Sequence, residues 1–334
     1  MGQGKDAGIL LSNNPRGLDF GKISNDSPFF FPWVFRYMGA NKFSFFYADL
    51  GPEQNFPHAY LTGYKWNLQP LRFFEVGAGL LVHAGGEGSP PASLGEQIGN
   101  LFRFNPTDKQ IGNIIGGFEI RFRIPPLRGT ELYAEAMFDD RHNSFFSSAQ
   151  LDDDASYIAG LYLPRVDNSG VLDLRFEYHR MGKRFYRHGT WTSGWTLNQF
   201  IIGDNLGPDA QGFYLSSRWD VDAKNLLTFE GAFESRSRDI WAIDDPHEFN
   251  FKKIQDFPDE KRFRGTAAWQ HRVSDLPMRF VFEVGYERVQ NFNFTADNSR
   301  NNFLGQFALE LTLDSFTKFP RSLSKSPTGM DSPN

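Results

Sequence analysis

The chain has 334 residues, 35 Lys+Arg against 40 Asp+Glu, a formal net charge of −5 and no cysteine. Without cysteine there is no disulfide scaffold and no thiolate metal site, and the slightly acidic balance argues against broad nucleic-acid binding. Aromatic residues make up 16% of the chain, too many for a disordered one, although only 40% of residues are hydrophobic.

Residues 1–27 read as an N-terminal segment leading into the strand-rich body of the chain. Ala7-Gly8-Ile9-Leu10-Leu11 stops at Ser12-Asn13-Asn14-Pro15, shorter than the apolar stretch of about 7–15 residues in a secretory signal. Two readings are open for an additional strand before residue 28: a short one at 7–12, making fourteen, or strands upstream of this chain, and the second is favoured.

From 28 to 313 apolar and polar residues alternate, the mark of strands with two unlike faces. Strands are predicted over 28–38, 43–50, 58–66, 71–83, 111–124, 130–139, 155–163, 171–180, 211–220, 224–234, 262–273, 278–291 and 301–313. Phe118, Ile120 and Phe122 alternate with Glu119, Arg121 and Arg123; Leu172, Leu174 and Phe176 alternate with Asp173, Arg175 and Glu177. Many of these strands are about ten residues long. That suits a tilted membrane strand of about 9–11 residues better than a sandwich strand of about 5–6. No apolar run approaches the roughly 18 residues of a membrane helix.

The connections alternate in length. Those at 39–42, 67–70, 125–129, 164–170, 221–223 and 274–277 are short. Those at 84–110, 140–154, 181–210, 235–261 and 292–300 are long, and 51–57 is intermediate. Outer-membrane barrels keep short periplasmic turns at one end and long extracellular loops at the other. The expected fold class is all-β, a transmembrane antiparallel up-and-down β-barrel of about 13–14 strands. The rival is a soluble sandwich or carbohydrate-active β-fold. An even strand number with both ends periplasmic requires an upward strand before residue 28, so the chain is expected to be N-terminally truncated. The tail at 314–334 lacks periodicity and is expected to be disordered.

On this reading the apolar face meets outer-membrane lipid. The polar face lines the lumen with charges of both signs, among them Glu119, Arg121, Glu135, Arg175, Glu177 and Arg264. These are expected to neutralise one another in a narrow or plugged lumen. Phe29-Phe30-Phe31-Pro32-Trp33, Phe45-Phe46-Tyr47, Tyr64, Trp66, Trp219 and Trp269 suit interface girdles. Gly77 and Gly79 suit crowded lumen positions.

No catalytic or nucleotide motif stands out, and no cofactor is implied. Asp139-Asp140 and Asp152-Asp153-Asp154 lack the spaced ligands and glycine of a calcium loop and read as solvated acidic loops. The long loops are more informative. Arg184, Tyr186, His188, Trp191, Trp195, Asp204 and Asp209 fall in 181–210, and Trp241 and Asp244 fall in 235–261. Rings beside carboxylates and guanidiniums suit glycan binding: CH faces stack on rings, and hydroxyls bond to charged groups. The alternative is that these loops fold over the barrel mouth and use their rings for internal packing.

The strings Gly8-Ile-Leu-Leu-Ser-Asn-Asn-Pro15, Asn113-Ile-Ile-Gly-Gly-Phe-Glu-Ile-Arg121, Met137-Phe-Asp-Asp140, Glu177-Tyr-His-Arg180 and Ile202-Gly-Asp-Asn-Leu-Gly-Pro-Asp-Ala-Gln-Gly212 occur in this order. Together they resemble the Wzi capsule-assembly family, over about residues 7–315. The resemblance implies a non-enzymatic outer-membrane barrel, typically of eighteen strands, that holds surface polysaccharide as a lectin. It also implies a signal peptide and further N-terminal barrel sequence, in keeping with truncation. The other functional readings are a porin-like channel for small solutes and, more remotely, an outer-membrane hydrolase.

Overall fold

The computed structural model describes residues 2–5, 8–15, 17–25, 27–93, 95–96, 99, 111–139, 149–245, 250–273 and 277–311. The strands are β1 (Asp19–Ser24), β2 (Ala40–Asp49), β3 (Tyr60–Leu71), β4 (Phe74–Ala84), β5 (Gly112–Ile124) and β6 (Thr130–Asp139). They continue as β7 (Ala155–Leu163), β8 (Leu172–Met181), β9 (Thr196–Leu197), β10 (Phe200–Ile201), β11 (Ala210–Asp220) and β12 (Asn225–Arg236). The last are β13 (Ile240–Asp245), β14 (Asn250–Gln255), β15 (Glu260–Arg272), β16 (Met278–Gln290) and β17 (Ser299–Leu311).

Thirteen strands form one antiparallel sheet in the order β1-β2-β3-β4-β5-β6-β7-β8-β11-β12-β15-β16-β17, an up-and-down meander. Hairpins β9–β10 and β13–β14 stand apart from it, inside long loops. The sheet is the wall of an up-and-down β-barrel. Among the described residues the ring is open between β1 and β17.

The strand register carries the side-chain alternation from one strand to the next. Tyr133, Gly160, Glu177, Tyr214, Ala232 and Arg264 share one inward row, and Glu131, Tyr162, Arg175, Ser216, Glu230 and Thr266 share the next. The outer face carries large apolar side chains that stay exposed, including Phe118, Ile120, Phe176, Leu215, Phe229, Trp269 and Phe282. An apolar outer belt over a partly charged interior is the arrangement a lipid-facing barrel requires.

Several expectations need correction. The strand predicted at 28–38 is absent: Trp33–Met38 is a 3-10 helix with no buried residue, and Phe29 makes only an isolated bridge to Asn41. Pro28 and Pro32 remove ladder donors there, which disfavours a paired strand. The first strand is β1 instead, so the short strand expected within residues 1–27 lies at 19–24 rather than 7–12. The connection predicted at 39–42 is replaced by residues 25–39 at the short-turn end. β3 runs on through the turn predicted at 67–70, with a register shift between Leu68 and Leu71 that accommodates Pro70. The expected tail at 314–334, residues 100–110 of the loop predicted at 84–110, and 140–148 of that at 140–154 lie outside the described residues.

The lumen also differs from the expected charged interior. Near the long-loop end the inward face is apolar: Phe46, Ala48, Leu61, Leu81, Ile115, Met137, Ile158 and Met181 belong to one buried cluster. Phe46, expected in an interface girdle, therefore points inward. The cluster is completed by Ile9 and Leu10 of the N-terminal segment and by Phe185, Tyr186, Trp195 and Ile202 of the loop after β8. Residues 8–15 thus run inside the barrel. A Cβ at Gly79 would lie 2.7 Å from Leu10 Cδ1, so glycine there makes room for the segment.

Candidate functional site

Inward carboxylates hold the N-terminal segment in place. Glu135 accepts the amides of Gln3, Gly4 (3.3 Å) and Ile9 (3.2 Å), and Glu177 accepts that of Lys5 (2.9 Å). Glu177 also accepts the Tyr133 hydroxyl and lies 3.3 Å from His179 Nε2. His179 Nδ1 is 2.6 Å from Asp204 Oδ2. Burying ionisable groups is costly unless they are paired and hydrogen-bonded. Here each is linked to a strand, the loop or the segment, so the charges join the three parts.

The loop after β8 folds over the mouth. Trp191 is 0% exposed and Trp195 is 1% exposed. Trp191 packs edge-on against Phe56 and donates its indole N–H to the Gly85 carbonyl at 3.2 Å. Both indoles contact His83 on the inner face of β4. His188 shapes the turn, its Nδ1 accepting the amides of Thr190 (3.0 Å) and Trp191 (3.2 Å). Tyr186 is buried; its hydroxyl donates to the Ile9 carbonyl at 2.5 Å and accepts the Asp204 amide at 2.9 Å. The Tyr186, Trp191 and Trp195 rings pack the interior and offer no stacking face, in line with the alternative reading of the loops. Asp139 accepts the Tyr186 amide at 3.0 Å, and Asp153 pairs with Lys183 at 2.5 Å. They anchor the loop and are not solvated acids.

The accessible chemistry lies beside this lid. A cavity of about 280 Å³ at the long-loop end is lined by Lys183, Asp209, Asp239, Trp241, Lys253 and Asp259, among others. Trp241, half-buried on β13, donates its indole N–H to Asp209 Oδ2 at 2.8 Å. The Lys183 and Lys253 ammoniums lie 4.3 and 5.2 Å from its ring centroid, within cation–π range. Lys253 Nζ also contacts Asp239 at 2.5 Å and Asp256 at 2.8 Å.

Burial opposes ionisation of Asp239, but the Lys253 ammonium and the Phe257 amide outweigh it and hold its carboxyl below the usual range. The same carboxylates push the Lys253 ammonium up. Partial burial and the nearby Asp239 and Asp209 carboxylates push Asp259 up. Cations and carboxylates therefore alternate around one indole, offering donors and acceptors side by side.

Of the expected binding residues, the structure brings Asp209 and Trp241 together here. Arg184 is near the same hairpin, its guanidinium 5.7 Å from the Phe251 ring centroid on β14. Tyr186 and Asp204 form a separate, buried pair, and His188, Trp191 and Trp195 belong to the packing. Asp244 lies on β13, and its side chain falls outside the described residues. Asp239 stands two residues before Trp241 in the loop 235–261 that the sequence marks as suited to glycan binding, whereas Lys183, Lys253 and Asp259 carry no such signal. The short β13–β14 pairing sets Lys253 opposite Trp241.

A meander with an apolar outer belt, a filled lumen and a polar mouth under long loops defines a β-barrel of the transmembrane type. A family model described as capsule assembly protein Wzi matches residues 1–304, and the chain belongs to that family. Over 122 residues it is 25% identical to an uncharacterized 55.8 kDa protein in the cps region of Klebsiella pneumoniae, covering 36% of this chain and 24% of that one. A solved structure of Wzi, described as an outer membrane protein involved in group 1 capsule assembly in Escherichia coli and a carbohydrate binding β-barrel, superposes with a TM-score of 0.70 at 17% identity. The match covers 92% of this chain and 64% of that one. The chain thus spans less than two thirds of either relative, and the structural likeness is one of fold.

Proposed function

We propose that the protein resides in the outer membrane and holds surface polysaccharide at the cell surface, as a binding protein and not an enzyme. The observation that carries this reading is the mouth cavity around Trp241. Sugar hydroxyls both donate and accept, and Lys183, Lys253, Asp209 and Asp239 present both kinds of partner within one concave site. The two ammoniums lie against the Trp241 ring, so the indole positions cations and the contact to sugar is mainly hydrogen bonding rather than ring stacking. Membership of the Wzi capsule assembly family supports the same reading.

The outer face supports residence in lipid. Beyond its apolar belt, Phe30, Trp33, Phe35 and Tyr37 project at the short-turn end, with Trp33 and Tyr37 each 86% exposed. Rings in that position suit the membrane–water interface.

The test is retention of capsule. Cells carrying Trp241→Ala or Asp209→Ala should make normal amounts of polymer but shed more of it into the medium, with the barrel present at wild-type level. Unchanged cell-attached polymer in both variants would overturn the mouth assignment.

A further inference from the structure

A second cavity lies inside the barrel, beneath the loop after β8. It encloses about 290 Å³ and is walled by inward residues of β8, β11, β12 and β15, closed on one side by Asn13 and Asn14 and on another by Asp204 and Asn205. Its residues fall on the two inward rows of the wall. One brings Glu177, Tyr214 and Arg264 into line; the other brings Arg175, Ser216, Glu230 and Thr266. The second row lies nearer the short-turn end, so the cavity is on the opposite side of the loop from the mouth.

The wall carries charges of both signs: Lys5, Arg175 and Arg264 face Glu177, Asp204 and Glu230, with the His179 imidazole between Glu177 and Asp204. Lys5 pairs with Glu230 at 2.5 Å, and Arg264 reaches Glu234 at 3.5 Å. A charged ligand of either sign would meet repulsion from like charges in this wall as well as attraction. A neutral polyol would not, and it can use the further donors of each guanidinium and the further lone pairs of each carboxylate. Ser216, Thr266, Asn13 and Asn205 add hydroxyls and amides of both polarities. Tyr214, whose ring is 4.7 Å from that of His179, supplies an aromatic wall. The volume is at the lower end of the range for ligand pockets, roughly 300 Å³, which suits one ring-sized unit.

We propose that this lumenal cavity binds a single neutral pyranose unit, at a site separate from the mouth. The proposal rests on the carbohydrate-holding reading of the mouth and adds a second subsite of a defined class.

The test uses the folded full chain in detergent, with the methyl glycosides of glucose, galactose and mannose as probes and methyl glucuronide as the charged comparison. Saturation-transfer NMR and calorimetry read binding. At least one neutral glycoside should bind, and more tightly than the glucuronide. Thr266→Phe should weaken it at least tenfold by filling the cavity. Glu230→Gln, close in shape, should weaken it several-fold, and Trp33→Ala, exposed at the short-turn end and in neither cavity, should leave it unchanged. Binding lost only in Trp241→Ala would place the small sugar at the mouth and overturn the proposal. Tighter binding of the glucuronide would overturn the neutral class. If no glycoside binds while cells still retain polymer through Trp241, the lumenal site fails alone; if neither is seen, the carbohydrate reading fails with it.

Discussion

The Tyr186 hydroxyl donates to the Ile9 carbonyl at 2.5 Å, across 177 positions of sequence. One side chain of the mouth loop thereby holds the N-terminal segment inside the barrel, while the same oxygen accepts the Asp204 amide at 2.9 Å. Tyr186→Phe leaves both backbone groups buried without that partner, and each such loss costs about 1–3 kcal/mol. The variant should unfold at lower denaturant, and protease should cut residues 182–209 faster than in the wild type.

Trp191→Ala and Trp195→Ala should act on stability first. Each removes a fully buried indole from the lid, and Trp→Ala in a core costs about 3–5 kcal/mol. Thermal unfolding in detergent checks this. Trp241→Ala, at a half-exposed position, should shift the midpoint far less while reducing retained capsule. The opposite order would reverse the roles assigned to these rings.

His83 sits on the inner face of β4 with no hydrogen-bond partner for either ring nitrogen among the described residues. It packs against Trp191 and Trp195 instead. An unpartnered buried polar group costs about 1–3 kcal/mol, so His83→Leu should stabilise the barrel by about 1–2 kcal/mol. A fall in the unfolding midpoint would show that the imidazole has a partner role.

Asp239 gives the mouth a dependence on pH. Its carboxyl is held below the ordinary value of 3.8, with burial opposing and Lys253 prevailing. A depressed carboxylate contributes stability that is complete above the unfolded value and lost as pH falls through the folded one. The β13–β14 hairpin should therefore stay docked at neutral pH and loosen below about pH 4. Asp239→Asn should already be loosened at neutral pH and should show a flatter acid response. Trp241 emission, read against a variant lacking that residue, follows the change.

Ile9 and Leu10 meet Trp195, Ile202 and Leu206 in one buried cluster within the barrel. Planar-bilayer recordings should accordingly show no steady open-channel current. Persistent ion conductance would favour the channel reading over a filled lumen.

The wall of this fold is legible in the sequence because alternation of period two survives wherever a strand has one face outward and one to the lumen. The β5 run Phe118–Ile124 and the β8 run Leu172–His179 are clear examples. Alternation fails at Trp33–Met38, where prolines and a run of rings suit an unpaired 3-10 helix. It also fails for the lumen core, since Ile9 and Leu10 carry no sign of the distant strands they touch. The mouth site is half-visible. Trp241, Asp209 and Asp239 stand out for their chemistry, whereas Lys253 is brought beside Trp241 only by the β13–β14 hairpin. Trp191 and Trp195 look like ligand-binding rings because composition cannot distinguish an exposed indole from a buried one.

Glu135 has a consequence for the order of events in folding. Its carboxylate takes the Ile9 amide across 126 positions, a contact that exists only after much of the wall has been assembled. Contacts so distant in sequence form slowly, because the loop they close must first be ordered. Ile9 is therefore among the last residues of this chain to reach its native place. A wall assembled around the wrong segment would leave Glu135 buried without its amides, a built-in penalty for premature closure.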